Sequence, residues 1–355
     1  MSNDPAGPLN LIEIAKLAGV SKSTVSRVVT NHPRVSAETR ARVQHIIKVH
    51  HYRPSLFGRG LSGARTGLIG VLGRWMESGF TAEVIRGIDD EVKQRGGHLL
   101  CTFAPGINEY IDLWRSFVSA GQVDGVILIA PPLDLYAEPL YARMRPIVLC
   151  ASRPSAPGPW SNIASVTLDN SRSMAHLVEH LIAQGCRRLV HLAGMPDIHD
   201  SRERTRVFSE TVGRHPDAAG SVIQGAWTAL LARSVVTEYL SAHRARPDAF
   251  VAFNDPVALG TLQALKALDL RVPQDVAVTG WDDIPFAEYA GLTTIHSPMV
   301  EIGWEAARLL YSQIDEESLV NKPRHAVLDT PLRVRETSSR LAAPQAPTRR
   351  PRPKK

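Results

Sequence analysis

From Arg65 onward, short and mostly apolar runs alternate with amphipathic stretches of helical period, and this alternation restricts the fold more than any other feature of the chain. "TGLIGVLG", "VDGVILIA", "PIVLCA", "RRLVHLAG", "DAFVAFND" and "QDVAVTGWDD" have strand length, whereas "TAEVIRGIDDEVKQRG", "SMAHLVEHLIAQG" and "PVALGTLQALKALDL" repeat apolar residues at helical spacing. A strand that is apolar on both faces must be covered on both faces, the environment of a parallel sheet between helical layers. The expected body is doubly wound α/β, and the number of units is enough for two sheets.

Open sheets of this kind bind ligands outside the carboxyl ends of their strands. Arg204 follows "RLVHLAG" and its loop, Asn254 and Asp255 end "DAFVAF", and Asp282 and Asp283 end "VAVTG". A guanidinium and carboxylates form paired hydrogen bonds to hydroxyl-rich molecules, and an aromatic such as Phe80 or Trp227 covers the apolar face of a sugar or base. Each has a plainer reading. Asp282 can cap the turn into "IPFAEY", Asn254 or Asp255 can cap the helix beginning at Pro256, and a tryptophan is more often core packing than a platform. His199, in the loop after the same strand as Arg204, is a further candidate ligand contact.

Charge divides the chain. Of a net +6, residues 1–66 hold ten Lys/Arg against three Asp/Glu, and the segment from Leu341 holds five basic residues and no acidic one, so the stretch between is acidic. A small basic head on an acidic body points to a polyanion at the head. In "NLIEIAKLAGVSKSTVSRVVTNHPRVSAETRARVQHIIKVHHYRPS", Asn10 can cap a helix carrying Ile14, Leu17 and Ala18, which stops at Gly19. Ser21 can cap a second helix through Thr30, with Val25, Val28 and Val29 inward and Lys22, Ser23, Ser26 and Arg27 outward; a third follows Ser36. Two short helices joined at a glycine are a helix-turn-helix. Such a second helix fits the DNA major groove, where Lys22, Ser23 and Arg27 can meet base edges.

The run "IAKLAGVSKSTVSRVV", with "VSAETRARV" and "YRP" after it, resembles the N-terminal signature of the LacI family of bacterial transcription regulators. The resemblance continues through "EVIRGIDDEV", "HLIAQGCRRLVHLAG", "SRERTRVF", "FNDPVALGTLQAL", "LRVPQDVAVTGWDDIPFAEY" and "LDTPLRVRETS", nearly the whole chain. It implies a helix-turn-helix DNA-binding domain at 9–54, a hinge helix and linker at 55–66, and an effector-binding and dimerisation core at 67–340. That core is periplasmic-binding-protein-like, with two doubly wound subdomains and crossings near 161–169 and 293–298. Residues 341–355 are expected to be a basic disordered tail.

Carried over by position, the resemblance implies base contacts from Lys22, Ser23 and Arg27, contact with or positioning of phosphates by Thr24, Arg34, Ser36 and Tyr52, and hinge contacts from Arg59 and Leu61, the last wedging into the minor groove. Its effector-contacting positions fall on Phe80, Arg204, Trp227, Asn254 and Asp282, with Asp169 added. The segment "IQGAWTALLARS" around Trp227 is shorter than the family's usual wording. The implied protein is a homodimeric repressor on a pseudo-palindromic operator, released by a sugar or sugar derivative, or alternatively dependent on a purine-type corepressor.

One motif points elsewhere. Gly58, Gly60 and Gly63 spell G-x-G-x-x-G, but a dinucleotide fingerprint needs a strand before and a helix after, and here "TGLIGVLG" follows. The glycines fall instead in the hinge, where the family usually writes Ala-Arg-x-Leu; two glycines should cost roughly 1–2 kcal/mol of helix stability there. Cys101, Cys150 and Cys186 are too scattered for a metal site or a disulfide framework, and no cofactor motif or catalytic serine, P-loop or His/Asp/Ser set is present. A regulator rather than an enzyme is expected, and a cytoplasmic one, since nothing reads as a signal peptide or membrane span.

Overall fold

The computed structural model describes residues 9–29, 32–50, 52, 65–76, 79–104, 106–119, 122–132, 146–153, 163–316 and 324–340. The proposed hinge residues Arg59 and Leu61, the linker glycines and the tail from 341 lie outside the described residues. The chain separates into two compact units, 1–67 and 68–355.

In the first unit, helix α1 (Leu11–Ala18) opens on a reciprocal cap: Asn10 Oδ1 accepts the Ile12 and Glu13 amides at 2.9 and 3.1 Å, and Glu13 Oε2 accepts the Asn10 amide at 2.7 Å. It closes at Gly19, whose φ of 63° is left-handed and suits a residue without Cβ. Helix α2 (Lys22–Val29) follows, with Ser21 Oγ accepting the Thr24 amide, and α3 (Ala37–Val49) starts from a Ser36 cap on Thr39. Ile14, Ala15 and Ala18 of α1, Val25 and Val28 of α2, Val43 of α3 and Tyr52 make one core, the burial that holds three helices too short to persist alone.

The second unit contains two six-stranded sheets. The first is built from β1 (Leu68–Gly73), β2 (His98–Phe103), β3 (Gly125–Ile129), β4 (Ile147–Cys150), β5 (Ala164–Leu168) and β11 (His325–Leu328) in the order β2-β1-β3-β4-β5-β11, all parallel. The second uses β6 (Arg188–Leu192), β7 (Ala219–Ile223), β8 (Ala249–Ala252), β9 (Ala277–Asp282), β10 (Thr293–His296) and β12 (Leu332–Arg333) in the order β7-β6-β8-β9-β10-β12, antiparallel only at β12. The first five strands of each sheet repeat one order, so each has a switch point beside its first strand, between β1 and β3 and between β6 and β8.

Helices α4 (Gly79–Gln94), α5 (Ile107–Ser119) and α11 (Met299–Asp315) belong to the first subdomain. Its core joins Val84, Ile88 and Val92 of α4 and Ile302, Ala306 and Leu310 of α11 to one face of the sheet. In the second, α6 (Asn170–Ala183) and α7 (His199–Val212) cover one face, and α8 (Ala229–Ala242) and α9 (Asp255–Ala267) the other; α10 (Pro285–Tyr289) is a single short turn. The two faces of β8 show the division: Ala249 and Val251 pack toward α6 and α7, Phe250 and Ala252 toward α8 and α9. The doubly wound expectation is borne out.

The chain passes between the sheets three times: after β5 at Asp169, after β10 at Ser297–Pro298, and after β11 at Asp329–Pro331. These passages lie side by side, for the Asp169 amide donates to Leu328 O at 2.9 Å, Thr330 Oγ1 to Asp169 O at 3.2 Å, and the His296 amide to Pro331 O at 2.9 Å. The third was not read from the sequence, nor was α11.

Candidate functional site

Two regions bring together residues with chemistry to offer. On the head, Val25 and Val28 face the core, which turns Lys22, Ser23 and Arg27 of α2 to the surface. Thr24 is half-buried, with Oγ1 2.9 Å from Ser21 Oγ, and Ser36 is engaged as the α3 cap. Arg34 is exposed on the loop before α3. Tyr52 is only 9% exposed, packed in the head's core, where burial raises the phenol pKa.

On the second unit, a cleft lies where the carboxyl ends of the two sheets face each other. The first subdomain lines it with Arg74 and Trp75 after β1, Phe80 and Thr81 at the start of α4, Ile129 and Ala130 at the end of β3, and Ala151 after β4. The second contributes Ile198, Asp200 and Arg204, Trp227 after β7, Phe253 and Asn254 after β8, and Asp282 at the end of β9. Five expected effector residues, Phe80, Arg204, Trp227, Asn254 and Asp282, therefore meet in one place, at the switch points of both sheets. The cleft is partly open to solvent, and its inner free volume is about 60 Å³.

Arg204 is the hub of the polar floor. Its Nε donates to Asn170 Oδ1 at 2.8 Å, Nη1 to Phe253 O at 2.9 Å and Nη2 to Asp200 Oδ2 at 3.2 Å. The guanidinium lies 4.0 Å from the Trp281 ring centroid and 4.9 Å from that of Phe253. Burial lowers its pKa, with Asp200, Asp282 and Glu203 opposing that shift. Asp282 is pushed up to about 8 by burial despite Arg204, so at neutral pH its carboxyl is largely protonated and able to donate as well as accept. Both Asp282 and Asp283 have left-handed backbones, φ 109° and 58°. Strain of this kind persists only where the surroundings enforce it. Asp283 turns from the cleft to accept Arg335 Nη2 at 2.7 Å and face His296 Nδ1 at 3.1 Å, which ties the Asp282 corner to the end of β10 and to the segment after β12.

The other expectations are placed differently. Asp169 does not line the cleft; it caps α6 by accepting the Arg172 amide at 3.1 Å. Asn254 fulfils both readings, since its Oδ1 caps α9 on Val257 at 2.9 Å while the residue lines the cleft. Asp255 is wholly buried, accepting Thr294 Oγ1 and the Ile284 amide, and burial raises it to about 7. His199 pairs with Glu203 at 3.4 Å on the first turns of α7 and is not in the lining. Arg74, Trp75 and Asp200 were missed, although the strand-end rule that selected Asn254 and Asp282 applies equally to the two residues after "TGLIGVLG". Among the described residues, no group of histidine, cysteine and acidic side chains is arranged to hold a metal ion, and no helix is long and apolar enough to cross a membrane.

A basic helix-turn-helix head joined to a two-sheet core with a cleft at both switch points defines a class: DNA-binding regulators with a small-molecule site. Residues 10–55 match the bacterial regulatory proteins of the lacI family, and residues 178–338 match a periplasmic binding protein-like domain. The ribose operon repressor of Escherichia coli (strain K12) is 31% identical over 314 residues, spanning 86% of this chain and 93% of that one. The transcriptional repressor PurR of Aliivibrio fischeri (strain MJ11) is 29% identical over 316 residues, 86% of this chain and 91% of that one. The crystal structure of the Lac repressor dimer bound to operator and the anti-inducer ONPF superposes with a TM-score of 0.80 at 25% identity, covering 94% of this chain and 99% of the other. The chain belongs to the lacI family, and it is a DNA-binding transcriptional repressor of that family.

Proposed function

We propose that two copies of the chain bind a pseudo-palindromic operator through their heads and that a sugar or sugar derivative in the cleft releases them. The observation that carries this reading is the convergence of Arg204, Asn254, Asp282 and the aromatic residues at the facing switch points, between subdomains joined by three adjacent passages. A ligand there binds both subdomains at once, so it favours one relative orientation over another, the condition for coupling to DNA. The sugar class draws on the ribose operon repressor, and the two-copy arrangement on the Lac repressor dimer.

Lys22, Ser23 and Arg27 are the proposed base readers, with Thr24, Arg34, Ser36 and Tyr52 at the phosphates and Arg59 and Leu61 in the hinge. Gly58→Ala with Gly60→Ala is expected to tighten operator binding and blunt effector release, and equal or weaker binding counts against the hinge role. A second reading, a purine corepressor that tightens DNA binding, is favoured by the stacked rings of the cleft and by the likeness to PurR. The experiment is operator selection with the full chain, followed by titration of the complex with sugars and purine bases using DNA anisotropy as readout. Release by a sugar supports the first reading, tightening by a purine the second. An operator complex indifferent to every small molecule that raises the protein's melting temperature would refute both.

A further inference from the structure

Six side chains stack in one column through the cleft. In order they are Arg74, Trp75, Trp227, Phe253, Arg204 and Trp281. The Arg74 guanidinium lies 4.3 Å from the Trp75 ring centroid, Trp75 lies 4.4 Å from Trp227 at a 41° tilt, and Trp227 lies 5.4 Å from Phe253. Arg204 sits between Phe253 and Trp281 at 4.9 and 4.0 Å. Arg74 and Trp75 extend β1 of the first subdomain; the other four belong to the second. The column thus has a single junction between subdomains, Trp75 on Trp227. Beside it a second contact crosses the cleft, for Arg74 Nη1 donates to Asp197 Oδ2 at 2.6 Å with the Arg74 side chain only 4% exposed. At a 4.4 Å centroid separation, a ring that stacks on both indoles must part that junction.

We infer that Trp75 is a specificity-determining residue: with Trp227 it forms a slot for an uncharged ring, stacked on both faces, over which the Arg74–Asp197 pair closes. This rests on the cleft being the effector site. Indole faces attract the C–H face of a sugar and the flat face of a base alike, so both ligand types share the chemistry. The cations argue against a charged ligand. Arg204 already directs Nε, Nη1 and Nη2 to Asn170, Phe253 O and Asp200, and Arg74 is held by Asp197. A phosphate would lose its hydration while facing the carboxyl groups of Asp200 and Asp282.

The test is isothermal titration of the full chain, and of Trp75→Ala and Trp75→Phe, with ribose, glucose, galactose, their terminal phosphates, and hypoxanthine. The expected result is an uncharged ligand that binds about tenfold more weakly to Trp75→Ala, a loss of about one logarithmic unit in Kd, with Trp75→Phe near the parent and the phosphorylated counterpart weaker than the neutral one. A ligand that binds Trp75→Ala as tightly as the parent, or a phosphate that binds more tightly than its neutral form, overturns this inference and leaves the effector site standing. Binding by none of the probes overturns both.

Discussion

Arg204 and Asp200 are 3% and 8% exposed as side chains, so each is tolerable in the interior only because of the other and of Asn170. Removing one partner of such a pair strands the other. Arg204→Ala is expected to cost about 3–5 kcal/mol in urea unfolding and to abolish effector binding by calorimetry. Asp282 gives a pH signature. Its folded pKa, about 8, and that of Asp255, about 7, lie above the usual carboxylate value. The unfolded chain is therefore ionised where the folded one still holds protons, and stability falls as pH rises toward 8. Burial lowers His191 to about 4, and lowers His180 and His325 as well, which works in the opposite sense and fades above the midpoint of the unfolded imidazole near 6.5. Between pH about 6.5 and 8 the carboxyl effect outweighs what is left of it. Melting temperature should decline across that interval, and Asp282→Asn, which resembles the protonated acid, should flatten the decline; an unchanged slope would refute the assignment.

Helices and strands differ in how openly they announce themselves. The fully apolar runs of β1, β3 and β4 identified the parallel sheets because both faces of each strand are covered, and Asn10, Gly19 and Ser36 marked helix ends in the head through their caps. Helix α8 and strand β7 are largely exposed and went unread, as did β12, whose two residues carry no periodicity. Phe80, Arg204, Asn254 and Asp282 were legible because strand and helix ends position them. Trp75 obeys the same strand-end rule and was passed over; what no local pattern encodes is its contact with Trp227, distant in the chain. The contact of α4 with α11 is equally nonlocal: a Cβ on Gly303 would lie 2.2 Å from Val84 O, and one on Gly87 2.0 Å from Val300 O. Gly303→Ala must push the helices apart and should cost roughly 1–3 kcal/mol or more. Gly19→Ala, with open space around it but φ of 63°, should cost about 1–2 kcal/mol from backbone strain alone. Chemical denaturation of the two variants should show the core affected in the first and the head in the second.

At the scale of the molecule, the +7 carried by residues 1–66 is set against an acidic stretch at 67–340, so DNA should be attracted to the head and repelled by that stretch. Operator affinity is expected to fall linearly on a double-logarithmic salt plot, and Lys22→Ala to relax base preference at one position in each half-site, as footprinting or selection would report. An unchanged preference would move base reading to other residues of α2. The three passages between the sheets carry a mechanical meaning. A door on one pin can wobble about every axis; pinned along a line at three places, it swings about that line alone. With Asp169, Pro298 and Thr330 in adjacent passages, the cleft is expected to keep essentially one degree of freedom, its opening angle, and a molecule bound there would set that angle by its thickness. Two compounds of equal affinity but unequal girth would then leave the protein in different postures, one an agonist and the other a silent competitor.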